Sequence, residues 1–189
     1  NAVEFFADGY RLASASSDTT LKLWNTATGQ MLQTLRGHEA GLTDVAIALS
    51  GNVIATGSWD ETIRLWDAAS RQEPWSQRHP CGVSSVTYSS DGTRLAIGGD
   101  GNVAVFDSSI GLKLWSKADS LTSRIWPEKQ AIRNISLSRA LHFDPQRNVL
   151  ALALNNGTLL LRDAQSGREL GKVEEAHNGP VTCLDYSPD

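Results

Sequence analysis

Three stretches of this chain line up almost without gaps: LASASSDTTLKLWN at Leu12–Asn25, IATGSWDETIRLWD at Ile54–Asp67 and, one residue shorter, LAIGGDGNVAVFD at Leu95–Asp107. A fourth, degraded copy, LALALNNGTLLLRD, occupies Leu150–Asp163. The equivalent residues near the copy ends, Trp24, Trp66, Phe106 and Arg162, stand 42, 40 and 56 residues apart. A unit of about forty residues that closes on Trp-Asp has the size of one four-stranded antiparallel blade. One blade cannot bury both of its own faces, so such units stack around a common axis. The repeat therefore constrains the fold more tightly than any single residue does.

The local pattern agrees with the period. Leu21–Lys22–Leu23–Trp24 and Ile63–Arg64–Leu65–Trp66 alternate apolar and polar, the mark of a half-buried strand. Asp-Gly and Asn-Asn-Gly steps before or between such runs supply tight-turn chemistry. Val86–Thr87–Tyr88 precedes the turn Ser90–Asp91–Gly92, and Asp8–Gly9 marks the same turn in the first copy. A last strand follows Ala27–Thr28–Gly29, Ser109–Ile110–Gly111 or Gln165–Ser166–Gly167. Each copy thus reads as four short strands.

These residues resemble the WD-repeat (WD40) β-propeller family over nearly the whole chain. The family pattern runs from Gly-His through Ser/Thr and Asp to a closing Trp-Asp, and Gly37–His38, Thr56, Asp60 and Trp66 reproduce it in full. The resemblance implies an all-β fold: an arc of about four four-stranded antiparallel blades, expected to be a fragment of a longer propeller of about seven. The expected copies are 1–36, 37–77, 78–116 and 131–174, with a fifth beginning at 175–189 and an insertion at about 117–130. It also implies a structural network in which His38 lies between Asp60 and Thr56, and Thr56 accepts from the Trp66 indole. Partial sets are Ser14, Asp18 and Trp24 in the first copy and His79, Asp100 and Phe106 in the third, where Ile97 replaces the hydroxyl. The fourth copy has Asn134, Asn156 and Arg162 at the aligned positions, and the fifth starts at His177. Blades three and four are expected to lean on apolar packing by Val103, Val105, Leu159 and Leu161.

A His, Asp and Ser/Thr set also invites a hydrolase reading. It recurs with Trp attached, and no Gly-x-Ser-x-Gly elbow accompanies it, so a catalytic triad is not expected. Net charge is −4, which argues against a general nucleic-acid surface. No apolar run reaches membrane length. The two cysteines, Cys81 and Cys183, form no disulfide framework or metal-ligand spacing, and Cys183 reads as a small core residue. No cofactor or metal is expected.

In the resembling family, the loops entering the inner strands and the turns carrying the Asp share one rim. The aligned positions include Ser17, Thr43, Trp59, Ser84, Arg139 and Asn155. Trp59 and Arg139 are of the types favoured as interface anchors. The insertion at 117–130 holds Trp126 among polar residues and is either a contact element or a patch over blades three and four. The expectation is an intracellular, non-catalytic scaffold that binds protein or peptide partners and packs on the remaining blades of its propeller. The alternative is a regulatory or sensor propeller fused to an effector domain. An enzyme or ligand site in the central channel would need a lining of charged groups, and none is evident in the sequence.

Overall fold

The computed structural model describes residues 1–70, 75–80, 82–99, 102–109, 111–118, 138–154 and 156–187. Among these, sixteen strands form four sheets. The first contains β1 (Ala2–Phe5), β2 (Arg11–Ala15), β3 (Thr20–Asn25) and β4 (Met31–Arg36). The second contains β5 (Leu42–Ile47), β6 (Val53–Ser58), β7 (Thr62–Asp67) and β8 (Trp75–Arg78). The third contains β9 (Ser85–Tyr88), β10 (Arg94–Gly99), β11 (Asn102–Asp107) and β12 (Lys113–Ala118). The fourth contains β13 (Ser138–Phe143), β14 (Val149–Leu154), β15 (Leu159–Asp163) and β16 (Glu169–Val173). Every sheet is an antiparallel meander in chain order, and together they make a partial β-propeller.

The register is the same in all four blades. Glu4, Ala46, Thr87 and His142 lie opposite Ala13, Ala55, Ala96 and Ala151 on the neighbouring strand. The alternation of side chains then decides which face each residue serves. Ala13, Leu21 and Leu23 of the first blade meet Val45, Ile54 and Trp66 of the second. Ala55, Ile63 and Leu65 meet Val86, Leu95 and Phe106 in the next junction. Val103, Val105 and Trp115 meet Leu141, Phe143, Leu150 and Leu160 in the last. The core is therefore a series of layers between blades, with no core inside a blade.

One expectation about the fourth blade is corrected here. Leu160, and not Leu161, packs on the third blade; Leu161 is exposed. Strand parity explains it: Leu161 lies opposite Ala151 and Gly171, on the face turned away from blade three. Leu159 is only half-buried, whereas Val103 and Val105 are buried. Cys183 is likewise exposed rather than a core residue. Its segment, 177–187, forms no strand among the described residues, although Tyr186 and His142 pack edge-to-face at 5.8 Å.

The closing Asp or Asn of each copy has a local task. The side chains of Asn25, Asp67, Asp107 and Asp163 accept backbone N–H bonds from the turn that follows, at 2.7–3.0 Å. Such Asx bonding substitutes for missing backbone partners in the turn. The turn then ends on a left-handed glycine in three copies: Gly29, Gly111 and Gly167, with φ of 69°, 66° and 69°.

Two of these glycines are seats for tryptophans of the preceding blade. A side-chain carbon on Gly111 would stand 2.4 Å from Trp75 Nε1, and one on Gly167 would stand 2.7 Å from the Trp115 ring. Trp75 also meets Phe106 edge-to-face at 5.9 Å, and Trp115 Nε1 donates to the Ala164 carbonyl at 2.9 Å. Outer strands thereby grip the next blade at its periphery. Trp115→Ala is expected to cost about 3–5 kcal/mol by leaving a cavity at that junction. Leu114→Ala, on the exposed side of the same strand, should stay within about 0.5 kcal/mol. Urea denaturation of both variants measures the difference.

Candidate functional site

The densest polar cluster lies in the second blade. His38 Nδ1 stands 2.8 Å from Asp60 Oδ2 and His38 Nε2 stands 2.8 Å from Thr56 Oγ1. Trp66 Nε1 donates to Thr56 Oγ1, also at 2.8 Å. One proton arrangement satisfies every member: His38 Nδ1–H donates to Asp60, and the Thr56 hydroxyl donates to Nε2 while accepting from Trp66. Asp60 further accepts from the Glu39 N–H and from the Thr62 hydroxyl at 2.6 Å. Burial by itself would raise the Asp60 carboxyl, but donation from Thr62, Glu39 and His38 outweighs it and holds the pKa at about 2. The loop, two strands and the turn between them are thus tied together by buried bonds.

Thr62 was not among the residues singled out in the sequence. Its signal is the Asp-x-Thr spacing, which recurs at Asp18 and Thr20, where the hydroxyl reaches Asp18 at 2.7 Å. The intervening Thr19 and Glu61 adopt left-handed φ of 71° and 64°, which the flanking Asp bonds hold in place. In the first blade, Trp24 Nε1 donates to Ser14 Oγ at 2.8 Å. In the third, His79 is buried and its N–H donates to the Glu61 carbonyl at 2.8 Å, while Asp100 lies outside the described residues. In the fourth, Asn156 accepts from the Thr158 N–H and Arg162 donates to the Gly167 carbonyl. Asn134 lies outside the description. His177 is exposed, with its N–H on the Gly157 carbonyl.

The rim residues divide by what their polar atoms do. Thr43 Oγ1 donates to the Val83 carbonyl of the next blade at 2.6 Å, and Ser84 Oγ donates to the Gly98 carbonyl at 3.0 Å. Both hydroxyls are occupied by the scaffold. Ser17 is exposed and bonds Asn1. Trp59 is different: its ring lies over Gly82 of the third blade, yet it remains 57 % exposed. A side-chain carbon on Gly82 would stand 2.7 Å from Trp59 Cε3, so glycine there is what admits the indole. Trp59 N–H donates to the Gly41 carbonyl, and Gly41 abuts Ser17. Loops of three blades are therefore contiguous around Trp59. Arg139 falls in β13, but its side chain lies outside the description, as do Trp126, Asn155 and nearly all of the 117–130 insertion.

The inner strands surround a cavity of about 530 Å³. Contrary to the sequence expectation, acidic and imidazole side chains line it: Glu4, Asp44, His142 and Asp185. Two of them serve the junctions. Glu4 Oε2 accepts from the Ile47 N–H at 3.1 Å, and Asp44 Oδ2 accepts from the Val86 N–H at 2.9 Å. Each carboxylate caps a backbone donor on the edge strand of the next blade, which has no ladder partner on that side. Burial pushes Glu4 up to about 7, against the lowering effect of the Ile47 bond and with a raising contribution from Asp44. Burial also raises Asp44, and Tyr88 is raised by burial and by nearby Glu4. The described residues contain no group of three or more His, Cys, Asp or Glu placed to hold a metal ion. None of their helices could cross a membrane, since the described elements are strands.

The WD domain, G-beta repeat family matches residues 1–25, 29–67 and 75–107, which together take in β1 to β11, each later match running from the outer strand of one blade through three strands of the next. The chain is a WD-repeat protein. It is 31 % identical over 193 residues to a guanine nucleotide-binding protein subunit beta of Zea mays, covering 95 % of this chain and 48 % of that protein. It is 35 % identical over 197 residues to eukaryotic translation initiation factor 3 subunit I of Coccidioides immitis, covering 100 % of this chain and 57 % of that protein. It is 27 % identical over 200 residues to nuclear distribution protein PAC1-2 of Uncinocarpus reesii, covering 96 % and 42 %. This WD-repeat chain spans about half the length of these curated relatives.

Two outcomes test the energetics of the site. Trp66→Phe removes the donor to Thr56 and should cost about 1–3 kcal/mol. Phe106→Leu changes volume without stranding a polar group and should cost less, under about 1.5 kcal/mol. Chemical denaturation of the two variants side by side decides whether the larger loss is at Trp66. The second outcome concerns Glu4. The folded chain keeps its proton up to about pH 7, whereas the unfolded chain releases it near the ordinary glutamate value of 4.5. Folding takes up a proton in that window, so this residue's contribution to stability falls as pH rises from about 4.5 through 7. Glu4→Gln should remove that slope and raise stability at pH 8 by about 1–3 kcal/mol, read from denaturation midpoints across the pH range.

Proposed function

We propose that this WD-repeat chain is a non-catalytic scaffold that binds a protein or peptide on the rim around Trp59. The observation that carries the reading is the indole itself. A ring more than half exposed lies over Gly82, and the backbone N–H of the same residue donates to the Gly41 carbonyl, so the base of the side chain is fixed and one face of the indole is seated. An aromatic side chain already held in one place loses little freedom on binding, which is the condition for an interface anchor. The polar residues beside it are already engaged, Thr43 across the junction to Val83 and Ser84 within the third blade to Gly98. They supply rigidity to the rim rather than hydrogen bonds to a partner. Arg139 and the 117–130 insertion with Trp126 are proposed to extend the same contact surface, together with Asn155.

The His38–Thr56–Asp60 set belongs to the frame of this rim and not to chemistry. Its Thr56 hydroxyl is fully buried, with Trp66 against it, so no substrate carbonyl can approach the oxygen. Two of the relatives named above, the guanine nucleotide-binding protein subunit beta and the initiation factor 3 subunit I, are named as subunits, which supports a protein-binding role for the fold.

Trp59→Ala is expected to weaken partner capture by about 1–2 kcal/mol or more, a loss of roughly tenfold or greater, with an unchanged denaturation midpoint. Quantitative affinity capture with the wild-type chain, Trp59→Ala and Tyr10→Ala makes the comparison, since Tyr10 is exposed on a turn of the opposite rim. Full retention of capture by Trp59→Ala with loss in Tyr10→Ala would move the binding face to that opposite rim.

A further inference from the structure

The rim around Trp59 carries carboxylates that the fold leaves unused. The connector 37–41 runs against the turn at 58–61: the Glu39 N–H donates to Asp60 Oδ2 at 2.9 Å, and Ser58 Oγ lies 3.1 Å from both the Ala40 and the Gly41 carbonyl. The Trp59 N–H donates to the Gly41 carbonyl at 3.1 Å. Glu39 and Glu61 therefore share one small patch with the indole, and both are exposed. Among the described residues, neither side chain forms an ion pair or accepts a hydrogen bond. Asp60 beside them stays ionised, and Asp18 lies on the adjoining loop, which Gly41 abuts at Ser17.

The opposite rim handles its carboxylates differently. Asp8 pairs with Arg11 at 2.7 Å, and Asp91 and Asp144 are likewise followed three residues on by Arg94 and Arg147. Asp67, Asp107 and Asp163 accept N–H groups of the turns that follow them. On the Trp59 rim, Lys22 pairs with Asp18 at 3.8 Å, and Arg36 and Arg78 end the outer strands β4 and β8, opposite Thr20 and Thr62. Negative charge without a partner is thus placed beside an exposed indole whose other face is seated on Gly82.

We infer that the partner of this rim presents a basic, arginine-bearing peptide segment, with one guanidinium stacked on the open face of Trp59 and its positive charge matched by Glu39 and Glu61. Charge decides the class of partner. A purely apolar segment laid over the indole would strip water from Glu39 and Glu61 and give them nothing in return. An acidic segment or a nucleic acid would add like charge to the same patch. A cation gains twice, from the negative face of the indole ring and from the carboxylates beside it. Arginine suits the patch better than lysine, because its planar guanidinium stacks on an aromatic face while its N–H groups remain free to reach a carboxylate at the edge. This inference rests on the Trp59 rim being the binding face, and it names the chemistry of what binds there.

The test titrates the full-length protein into a fluorescent glycine–serine peptide that carries paired arginines, and into counterparts with citrulline, lysine or glutamate in their place, and reads anisotropy. The arginine peptide is expected to bind about five- to tenfold more tightly than the citrulline peptide, with lysine between them and glutamate weakest. Trp59→Ala should weaken arginine-peptide binding about five- to tenfold, and Trp59→Phe should restore part of the loss. The double variant Glu39→Gln, Glu61→Gln should weaken it severalfold and flatten its dependence on salt, with an unchanged denaturation midpoint. Glu169→Gln, a charge change on exposed β16, should leave it as it was. Equal binding of the arginine and citrulline peptides, no binding of either, or equal effects of the Glu39/Glu61 and Glu169 variants would overturn the inference. If in those cases Trp59→Ala still weakens partner capture, the rim remains the binding face and only the basic ligand is wrong. If Trp59→Ala leaves both partner capture and arginine-peptide binding intact, the rim and this inference fall together.

Discussion

Everything in this molecule depends on the fact that a four-stranded blade has two apolar faces and a globular protein has only one inside. Ala13, Ala55 and Ala96 are completely buried although each belongs to a thin sheet, because another blade lies on it. Small residues at that register let the sheets approach, and large ones such as Ile54, Leu95 and Leu150 fill the facing layer. Burial of apolar area contributes on the order of 25 cal/mol per Å², so the junctions and not the individual blades hold the stabilising energy. Polar groups then determine register at each junction, since apolar layers alone would slide.

Three sets of polar or aromatic contacts act at different radii of the propeller. Nearest the axis, Glu4 and Asp44 accept N–H groups of the next inner strand. At mid-blade, His38, Thr56, Asp60 and Trp66 tie a loop to two strands. At the periphery, Trp75 and Trp115 sit on glycines of the next blade. Placing carboxylates at the axis has an electrostatic consequence. Their desolvation raises the proton affinity of both, and for Glu4 it does so far enough that this innermost contact changes strength near neutral pH. The mid-blade carboxylate behaves oppositely, because Asp60 collects enough donors to stay ionised.

Much of this was legible from the chain alone, and the boundary of what was not is physical. A period near forty, strand alternation and the closing Trp-Asp depend on local sequence, and they lead to four antiparallel sheets. The misplacement of Leu161 arose from parity: in a fully apolar run such as Leu159–Leu160–Leu161, alternation carries no signal about which face is which. The acidic and imidazole lining of the cavity was missed for a related reason. Glu4 and Asp44 are isolated in sequence and become neighbours only when inner strands of successive blades converge on an axis. The Trp75 and Trp115 seats were equally invisible, since each joins residues some 36–52 positions apart in different copies.

The same geometry bears on the proposal that recognition takes place at one rim and not on the blade faces. Blade faces at the three junctions are consumed by stacking, and the outer strands expose most of their side chains, Leu114 and Leu170 among them, along a regular ladder. Loops on the rim are free of the ladder but are pinned at their bases by Thr43 on Val83, Ser58 on Gly41 and Ser84 on Gly98. Every such bond removes motion from a segment that would otherwise have to be ordered when a partner arrives. A side chain standing on so fixed a base can vary in sequence without disturbing the fold, because its burial contributes nothing to a junction. Trp59 departs from that freedom in one respect: its ring needs glycine at position 82, on another blade. The residue at the rim and the residue beneath it are therefore coupled, and a change at Gly82 would displace the indole while leaving the second blade's hydrogen bonds intact.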